Sequence, residues 1–190
     1  MVLISKKEFL IGGVYALIIA IGILAIAGFY RNNRNVMSIV EHPEPVLRQV
    51  AEPIDHIDGS ILSLIDNIIS TLRYHALVDF FLERSLPRGL AAPQIGVAKR
   101  LVVCGINGKM KVMINPEILE RKGTYFDNDD CLSVEERNDT VIKRSAYVKV
   151  KYKTLENKEE ILVVRNDNAA LVEHEIDHLN GVLNIDYILD

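Results

Sequence analysis

The sequence predicts an α+β fold in which antiparallel sheets pack around a C-terminal helix, with an N-terminal transmembrane helix ahead of this domain. Apolar residues recur at steps of three and four over residues 60–75, which is typical of a helix with one face in the core. Segments between residues 100 and 164 are apolar or alternate apolar with charged residues, as strands do. A second helical pattern covers residues 168–181, so the strands lie between two helices along the chain.

The bulk composition fits one globular domain. The chain has 190 residues, of which 49% are apolar and 25% are charged, and this is enough to bury a core. A formal net charge of −4 supplies none of the clustered positive charge that nucleic-acid binding requires, so no nucleic-acid partner is expected. Cys104 and Cys131 are the only cysteines, too few for the disulfide framework of a small secreted domain.

Residues 9–30 contain no charged residue. A helix of this length measures roughly 33 Å, and the hydrocarbon core of a membrane is about 30 Å thick. We therefore predict a single-pass membrane anchor in residues 1–35 and a catalytic domain in residues 36–190. Basic residues flank the apolar segment on both sides, so charge does not orient it. The alternative is a cleaved signal peptide with a small-x-small site at residues 25–27, which would give a secreted protein.

Hydrophobic pattern and turn residues place the strands. Two apolar strands at residues 100–106 and 110–114 flank Asn107 and Gly108, a strong hairpin signal. The pair Asn115-Pro116 is predicted to end the second of them. The other predicted pair of strands covers residues 147–153 and 161–164.

The last predicted helix carries a candidate metal motif. It begins near Asn168, a favourable N-cap, and ends at Gly181, a favourable left-handed stop. Within it, His174 and His178 are four residues apart and share a face, so both imidazoles can reach one cation, with Glu175 beside them to carry a proton. The alternative for this motif alone is a charged, amphipathic surface helix.

A catalytic metal site needs a third protein ligand and one open position. The familiar downstream ligands are absent, because Asn184 stands where one protease class places His and no His or Glu follows Gly181. The third ligand must therefore come from upstream. Cys131 is the best supplier, since a thiolate binds divalent iron, zinc, cobalt or nickel strongly.

Residues 87–96 combine Pro, Gly and small side chains around a single amide, Gln94. Such a segment is typical of a tight loop where backbone can approach a ligand, although a plain turn explains the same residues.

Three separated blocks resemble peptide deformylases: residues 89–94 (GLAAPQ), 131–133 (CLS) and 174–179 (HEIDHL). The resemblance covers essentially residues 37–188, in matching order and spacing. It implies the peptide deformylase fold and hydrolysis of the formyl group from the N-terminal methionine of nascent polypeptides. It also implies formylated nascent peptides and the ribosome as partners, and hence a catalytic domain that faces the cytosol from its membrane anchor.

The same resemblance assigns the site. Cys131, His174 and His178 would hold one metal ion, in the family commonly ferrous iron and replaceable by zinc, nickel or cobalt. Glu175 would take a proton from water and deliver it to the leaving amine. The side chain of Gln94 and the backbone N–H of Leu132 would stabilise the tetrahedral oxyanion. Gly89 and Leu90 would contact the substrate, which would add to the protein as a strand.

Some residues depart from the family pattern: Pro87, Arg88, Asp129, Asp130 and Glu173. Pro87 removes a backbone donor beside the substrate, Arg88 could attract a carboxylate, and two aspartates beside Cys131 would weaken the activation of water. Two alternatives follow from them. One is a related amidase with another N-acyl substrate, and the other is a membrane-tethered metal-binding domain without turnover.

Overall fold

A computed structural model describes residues 35–82, 84–134 and 141–187, together with isolated positions between 14 and 31. Within this part of the chain, no helix is both long enough and apolar enough to cross a membrane. Most of residues 9–30, where the anchor is predicted, lies outside the described residues, so the anchor stays a prediction.

Helix α1 spans Gly59–Phe81. It begins at Asp58, whose carboxylate accepts hydrogen bonds from the backbone N–H groups of Ser60 and Ile61. The predicted end near His75 is wrong, because the helix continues through the apolar residues that follow. No Pro or Gly interrupts the chain until Pro87, so nothing in this segment breaks the helix earlier.

The main sheet has five strands in the order β1-β2-β3-β6-β7, and every neighbouring pair is antiparallel. A second sheet pairs β4 with β5. The strands are β1 (Gly89–Ala91), β2 (Leu101–Ile106), β3 (Lys109–Lys122), β4 (Tyr125–Asn128), β5 (Val141–Arg144), β6 (Tyr147–Lys153) and β7 (Glu159–Arg165). Short 3-10 helices cover Pro45–Arg48, Ala92–Ile95 and Asn184–Tyr187.

The hairpin at Asn107 and the pairing of β6 with β7 are confirmed. The prediction that Asn115-Pro116 ends the second strand is wrong, because β3 continues to Lys122. The pairing with β6 shifts register after Ile114, and Asn115 takes a positive φ of 50° there. The side chain of Asn115 bonds to both the N–H and the C=O of Ile54 at 2.8 Å, which stabilises this irregular point.

Helix α2 spans Asp167–Leu179. Its N-cap is Asn166 and not Asn168, whose side chain instead donates to Asn107 at 3.1 Å. The stop at Gly181 is confirmed: φ is 73°, and a β-carbon there would lie 2.5 Å from the carbonyl oxygen of Arg48.

The main sheet lies between the two helices, so its two faces bury different cores. The strand side chains on one face pack with the apolar face of α1, through residues such as Ile68 and Leu101. Those on the other face pack with α2, through residues such as Val148, Val172 and Leu179. The predicted α+β fold with antiparallel sheets around a C-terminal helix is confirmed, and α2 is buried along most of its length.

Candidate metal centre and active site

Helix α2 presents two imidazoles on its buried side, and the segment after β4 presents a thiol to them. The Nε2 of His178 lies 3.4 Å from the Sγ of Cys131 and 3.2 Å from the Nε2 of His174. All three ligand atoms lie within 4.8 Å of one another. The helical spacing of four residues therefore does what the sequence predicts, and the predicted third ligand joins the pair.

These separations fit a metal ion. Ligands that surround one ion tetrahedrally at about 2.0–2.3 Å are about 3.3–3.7 Å apart. The two separations from His178, 3.4 Å to the sulfur and 3.2 Å to the other nitrogen, come close to this spacing, and all three residues are at least nine-tenths buried. One thiolate and two imidazoles suit a divalent transition metal and leave a further position open for water or substrate.

The rear of the centre is a buried charge network that orients His174. The Nδ1 of His174 bonds to Asp129, which leaves Nε2 free for a metal. Arg144 donates through Nε to the same carboxylate at 2.7 Å and through a terminal nitrogen to Asp177. The hydroxyl of Tyr187 also donates to Asp177, at 2.8 Å. We call Asp129, Arg144 and Asp177 the rear network.

The electrostatics of the two histidines differ because only one has a carboxylate partner. Burial lowers the pKa of His174, but Asp129 outweighs this effect and holds that pKa above its ordinary range. Burial lowers the pKa of His178, and the neighbouring His174 lowers it further, so this imidazole is neutral. A neutral imidazole is the form that binds a metal.

Glu175 follows directly after the first histidine and is buried beside the metal-binding atoms. Its Oε2 has no hydrogen-bond partner among the described residues, which leaves one lone pair free for a reacting group. Burial raises the pKa of Glu175 to about 7. A carboxylate with such a pKa can both accept and donate a proton near neutral pH.

Gln94 is buried next to the thiol. Its Oε1 accepts the N–H of Ala91 at 2.9 Å, and this bond fixes the amide so that Nε2 lies 3.8 Å from the Sγ of Cys131 and 3.3 Å from the Oγ of Ser133. The sequence predicted Gln94 but not Ser133. The tight loop expected around Gln94 is the short helix Ala92–Ile95.

Strand β1 is an edge strand with one free side. Arg88 accepts the N–H of Gly105, so strand alternation turns the N–H and C=O of Gly89 towards the free side. A β-carbon at Gly89 would overlap the carboxylate of Glu175, and this requires glycine there. Leu90 points to the opposite face, where it is fully buried in the core with α1, so its side chain does not reach the pocket.

A pocket opens in front of the metal centre. Most of the predicted site residues line this one cavity: Gly89, Gln94, Cys131, Leu132, His174 and Glu175. The two predicted residues outside the lining are Leu90 and the innermost metal ligand, His178. The same lining contains Leu86, Pro87, Arg88 and the acidic segment from Asp127 to Asp130.

The residues that depart from the family pattern have defined partners. Arg88 forms two bonds to Asp167, at 2.7 and 2.8 Å, so its charge is neutralised within the chain. Glu173 accepts from Arg121 at 2.7 Å and from the backbone and hydroxyl of Ser145. The first contact lies at the N-terminal end of α2 and the second at its middle, and both bind the helix to neighbouring segments.

Pro87 and Asp129 take roles that sequence reasoning did not assign. In the register of β1, the backbone nitrogen at position 87 lies on the free side, so a proline there leaves the pairing with β2 intact. The charge of Asp129 is balanced by His174 and Arg144, which lower its pKa although burial raises it. Arg144 itself carries no sequence signal, because it comes from the end of an ordinary strand far from the motif.

Comparisons with known proteins agree with this site. The sequence pattern of the polypeptide deformylase family matches residues 36–190. Peptide deformylase 1 of Clostridium acetobutylicum is 40% identical to this chain over 157 residues, which are 82% of this chain and 96% of that protein. The peptide deformylase of Carboxydothermus hydrogenoformans is 36% identical over 153 residues, 80% of this chain and 92% of that protein.

Solved structures give the same result. The crystal structure of peptide deformylase from Thermotoga maritima has a TM-score of 0.69 and 33% identity, with 82% of this chain and 99% of that chain covered. A peptide deformylase from Synechococcus elongatus in complex with actinonin has a TM-score of 0.70 and 29% identity, with 83% and 81% covered. The chain belongs to the polypeptide deformylase family, the metal-dependent hydrolases that remove the formyl group from the N-terminal methionine of nascent polypeptides.

Proposed function

We propose that Cys131, His174 and His178 hold one ferrous ion and that Glu175 carries the proton during deformylation. The observation that carries this proposal is the convergence of the three ligand atoms beside a buried carboxylate with an unpartnered oxygen. Zinc, nickel or cobalt could replace iron in the same ligand set. When bound, a divalent ion polarises water and the formyl oxygen.

Glu175 accepts the proton that water loses as its oxygen bonds to the formyl carbon. The same carboxyl group then gives this proton to the methionine nitrogen as the C–N bond breaks, and the products are formate and a free amine. A pKa near 7 suits both transfers, because neither protonation state is strongly disfavoured at neutral pH. The free lone pair of Oε2 provides the place for the proton.

Gln94 and Leu132 stabilise the tetrahedral oxyanion. The Nε2 of Gln94 lies beside Cys131, and Leu132 follows Cys131 in the chain and lines the pocket. The Gln94 amide and the Leu132 backbone N–H are the donors. Each such contact lowers the barrier by about 3 kcal/mol. Because Ala91 fixes the Gln94 amide before the substrate arrives, little reorganisation is needed during the reaction.

The substrate adds to the free side of β1. Gly89 offers one N–H and one C=O there, enough for a short antiparallel pairing with the residue that follows the formyl group. The absence of an N–H at Pro87 limits this pairing to the end near Glu175. Substrate contact through the backbone leaves the peptide side chains free to vary, as a general processing enzyme requires.

A membrane anchor in residues 1–35 would hold this domain at the cytosolic surface, where formylated nascent chains leave the ribosome. The exposed apolar side chains of Val14, Leu17, Ile21 and Leu24 support this part of the proposal, because 51–71% of each is accessible in the folded chain. Accessibility labelling of single cysteines placed after Arg34 in intact cells tests the topology. Labelling from outside would contradict the nascent-chain role.

An assay of substrate choice tests the catalytic part. Protein loaded anaerobically with Fe(II) is mixed with formyl-Met-Ala-Ser or acetyl-Met-Ala-Ser, and the release of free amine is followed. We expect rapid hydrolysis of the formyl peptide, slow or no hydrolysis of the acetyl peptide, and loss of activity after chelation. Preference for the acetyl peptide would support the alternative N-acyl amidase, and no hydrolysis of either would support a non-catalytic domain.

A further inference from the structure

The last two turns of helix α1 are apolar on all sides and extend beyond the core. Among the residues that the structure describes, Leu72 is the last residue of α1 in the apolar core that this helix forms with the sheet, yet the helix continues to Phe81. Residues 74–82 are all apolar or aromatic except His75 and Asp79, and Asp79 is buried. A helix that is apolar all round is stable where protein or lipid surrounds it. We call residues 74–82 the apolar end of α1.

Large side chains of this end and of the segment after it are accessible. Of Phe80, Leu82 and Leu86, 63%, 52% and 47% are exposed. The first part of the same helix differs, because polar residues such as Ser63 and Asp66 occupy many of its exposed positions. A cluster of large exposed apolar side chains marks a surface that another partner covers.

The chain enters the catalytic domain beside this surface. The backbone N–H of Met37 donates to the Oγ1 of Thr71 at 2.9 Å, so residue 37 lies against α1. Residues 31–36 separate this point from the predicted anchor, and a segment of that length spans at most about 20 Å. Phe80 lies about 14 Å further along the helix axis than Thr71. A membrane that holds the anchor is therefore within reach of the apolar end of α1.

The charges around the apolar end suit lipid headgroups. Among the described residues from 73 to 86, the exposed charged side chains are Arg73 and Arg84. Arg84 lies 4.0 Å from the buried Asp79 and stays 58% exposed. Arginine at the edge of an apolar surface can bury its stem and keep its guanidinium at the level of lipid phosphates. A second copy of the chain would bring the same positive charges to the contact, and their repulsion favours an anionic lipid surface as the partner.

We infer that the apolar end of α1 docks into the headgroup layer of a bilayer that contains anionic lipids and holds the pocket beside the membrane. The inference rests on the anchor of the proposed function, because the anchor brings the domain to the bilayer. The apolar face of a helix at such an interface is buried by about 5–10 Å. Leu86 is exposed close to this end and also lines the pocket, so docking fixes the pocket mouth at the membrane surface. The site then receives formylated N-termini that lie there.

Tryptophan fluorescence tests the docking, because the chain contains no tryptophan of its own. The full-length Phe80→Trp variant is reconstituted into vesicles of phosphatidylcholine and phosphatidylglycerol. We expect a blue-shifted emission and quenching by lipids brominated at a depth of about 5–10 Å. Leu62→Trp is the matched control, since Leu62 is 49% exposed on the same helix and about 27 Å from Phe80. Its emission should stay that of a hydrated indole, without quenching.

Flotation of the same vesicles separates the docking from the anchor. Protein that floats with the vesicles, but whose Phe80→Trp emission is not quenched, would overturn the inference and leave the anchor intact. Protein that does not float would show that the anchor fails, and the docking fails with it. A blue shift without quenching would mean that protein covers this surface, and equal quenching at both positions would mean that the contact is not specific to this end. Either result would overturn the inference.

Serine variants assign the docking to the exposed apolar side chains. Tyr74→Trp provides a second reporter in the apolar end, and its quenching should be lost when Phe80→Ser and Leu82→Ser are added. Val50→Ser and Leu62→Ser remove similarly exposed apolar side chains elsewhere, and they should preserve the quenching. Quenching that survives the first pair would overturn the inference. Thermal melting and hydrolysis of soluble formyl-Met-Ala-Ser, unchanged in both sets, verify that the fold and the metal centre are intact.

Discussion

Carboxylates are paired with cations on the rear side of the metal centre and unpaired on its pocket side. At the rear, each carboxylate of the rear network has a cationic partner, and the whole group is buried. In the pocket, the Oε2 of Glu175 is buried without a hydrogen-bond partner among the described residues. Paired groups fix the positions of the metal ligands, whereas an unpaired group can still form a bond to the substrate or accept the transferred proton. The difference separates the part that builds the site from the part that reacts.

Removing the proton carrier should have the largest effect on the pocket side. Glu175→Gln keeps the size of the side chain but cannot accept a proton, so we expect kcat to fall about a thousandfold. Metal content, measured on the same samples, should stay at one ion per chain. Loss of the metal together with the activity would show that Glu175 stabilises the metal site and is not the proton carrier of the reaction.

Breaking the rear network should cost stability and metal affinity. Arg144→Met leaves Asp129 and Asp177 buried without their cation, and we expect the free energy of unfolding to fall by about 4 kcal/mol. Metal affinity should fall about 10- to 100-fold, because Asp129, which orients His174, loses the bond from Arg144 that holds it in place.

Arg121→Met is the matched control for this loss. It removes a half-exposed partner of α2 and leaves Glu173 with its two bonds from Ser145. We expect a cost of about 1 kcal/mol or less, measured by denaturant unfolding. Similar losses in both variants would mean that any ion pair on α2 serves equally well.

The unpaired Glu175 should also make the metal-free protein sensitive to pH. Because its pKa is raised from 4.5 to about 7, its protonated form favours the fold. This contribution is complete below pH 4.5 and is lost as the pH rises through 7, up to about 3 kcal/mol. Unfolding of metal-free parent protein and Glu175→Gln across this range tests it. If the free energies of unfolding of the two proteins changed with pH in parallel, the carboxyl group of Glu175 would not be unpaired in the folded protein.

A smaller effect should follow from adding a side chain to β1 at Gly89. Gly89→Ala places a methyl group where the carboxylate of Glu175 lies, so we expect kcat/KM to fall about 10- to 100-fold through displacement of that side chain. Gly59→Ala is the control, because a β-carbon there contacts nothing within 4 Å. Unchanged activity in Gly89→Ala would mean that Glu175 can work from another position.

Local patterns predicted much of this molecule, because periodicity, turn residues and ligand spacing depend on neighbours in the chain. The helix face with His174 and His178 is an example, and Cys131 followed from elimination of other ligands. The extension of β3 past Pro116 was not predictable, since it depends on Asn115 bonding to a distant segment. Arg144 was missed for the same reason: its role exists only where two sequence-distant carboxylates converge.

X-ray absorption spectroscopy of the iron-loaded protein tests the central claim most directly, because it counts the atoms that bind the metal. The account predicts one sulfur at about 2.3 Å and two imidazole nitrogens at about 2.0–2.1 Å, with one ion per chain, and loss of the sulfur in Cys131→Ser. A metal shell of nitrogen and oxygen alone in the parent protein would contradict a centre formed by Cys131, His174 and His178.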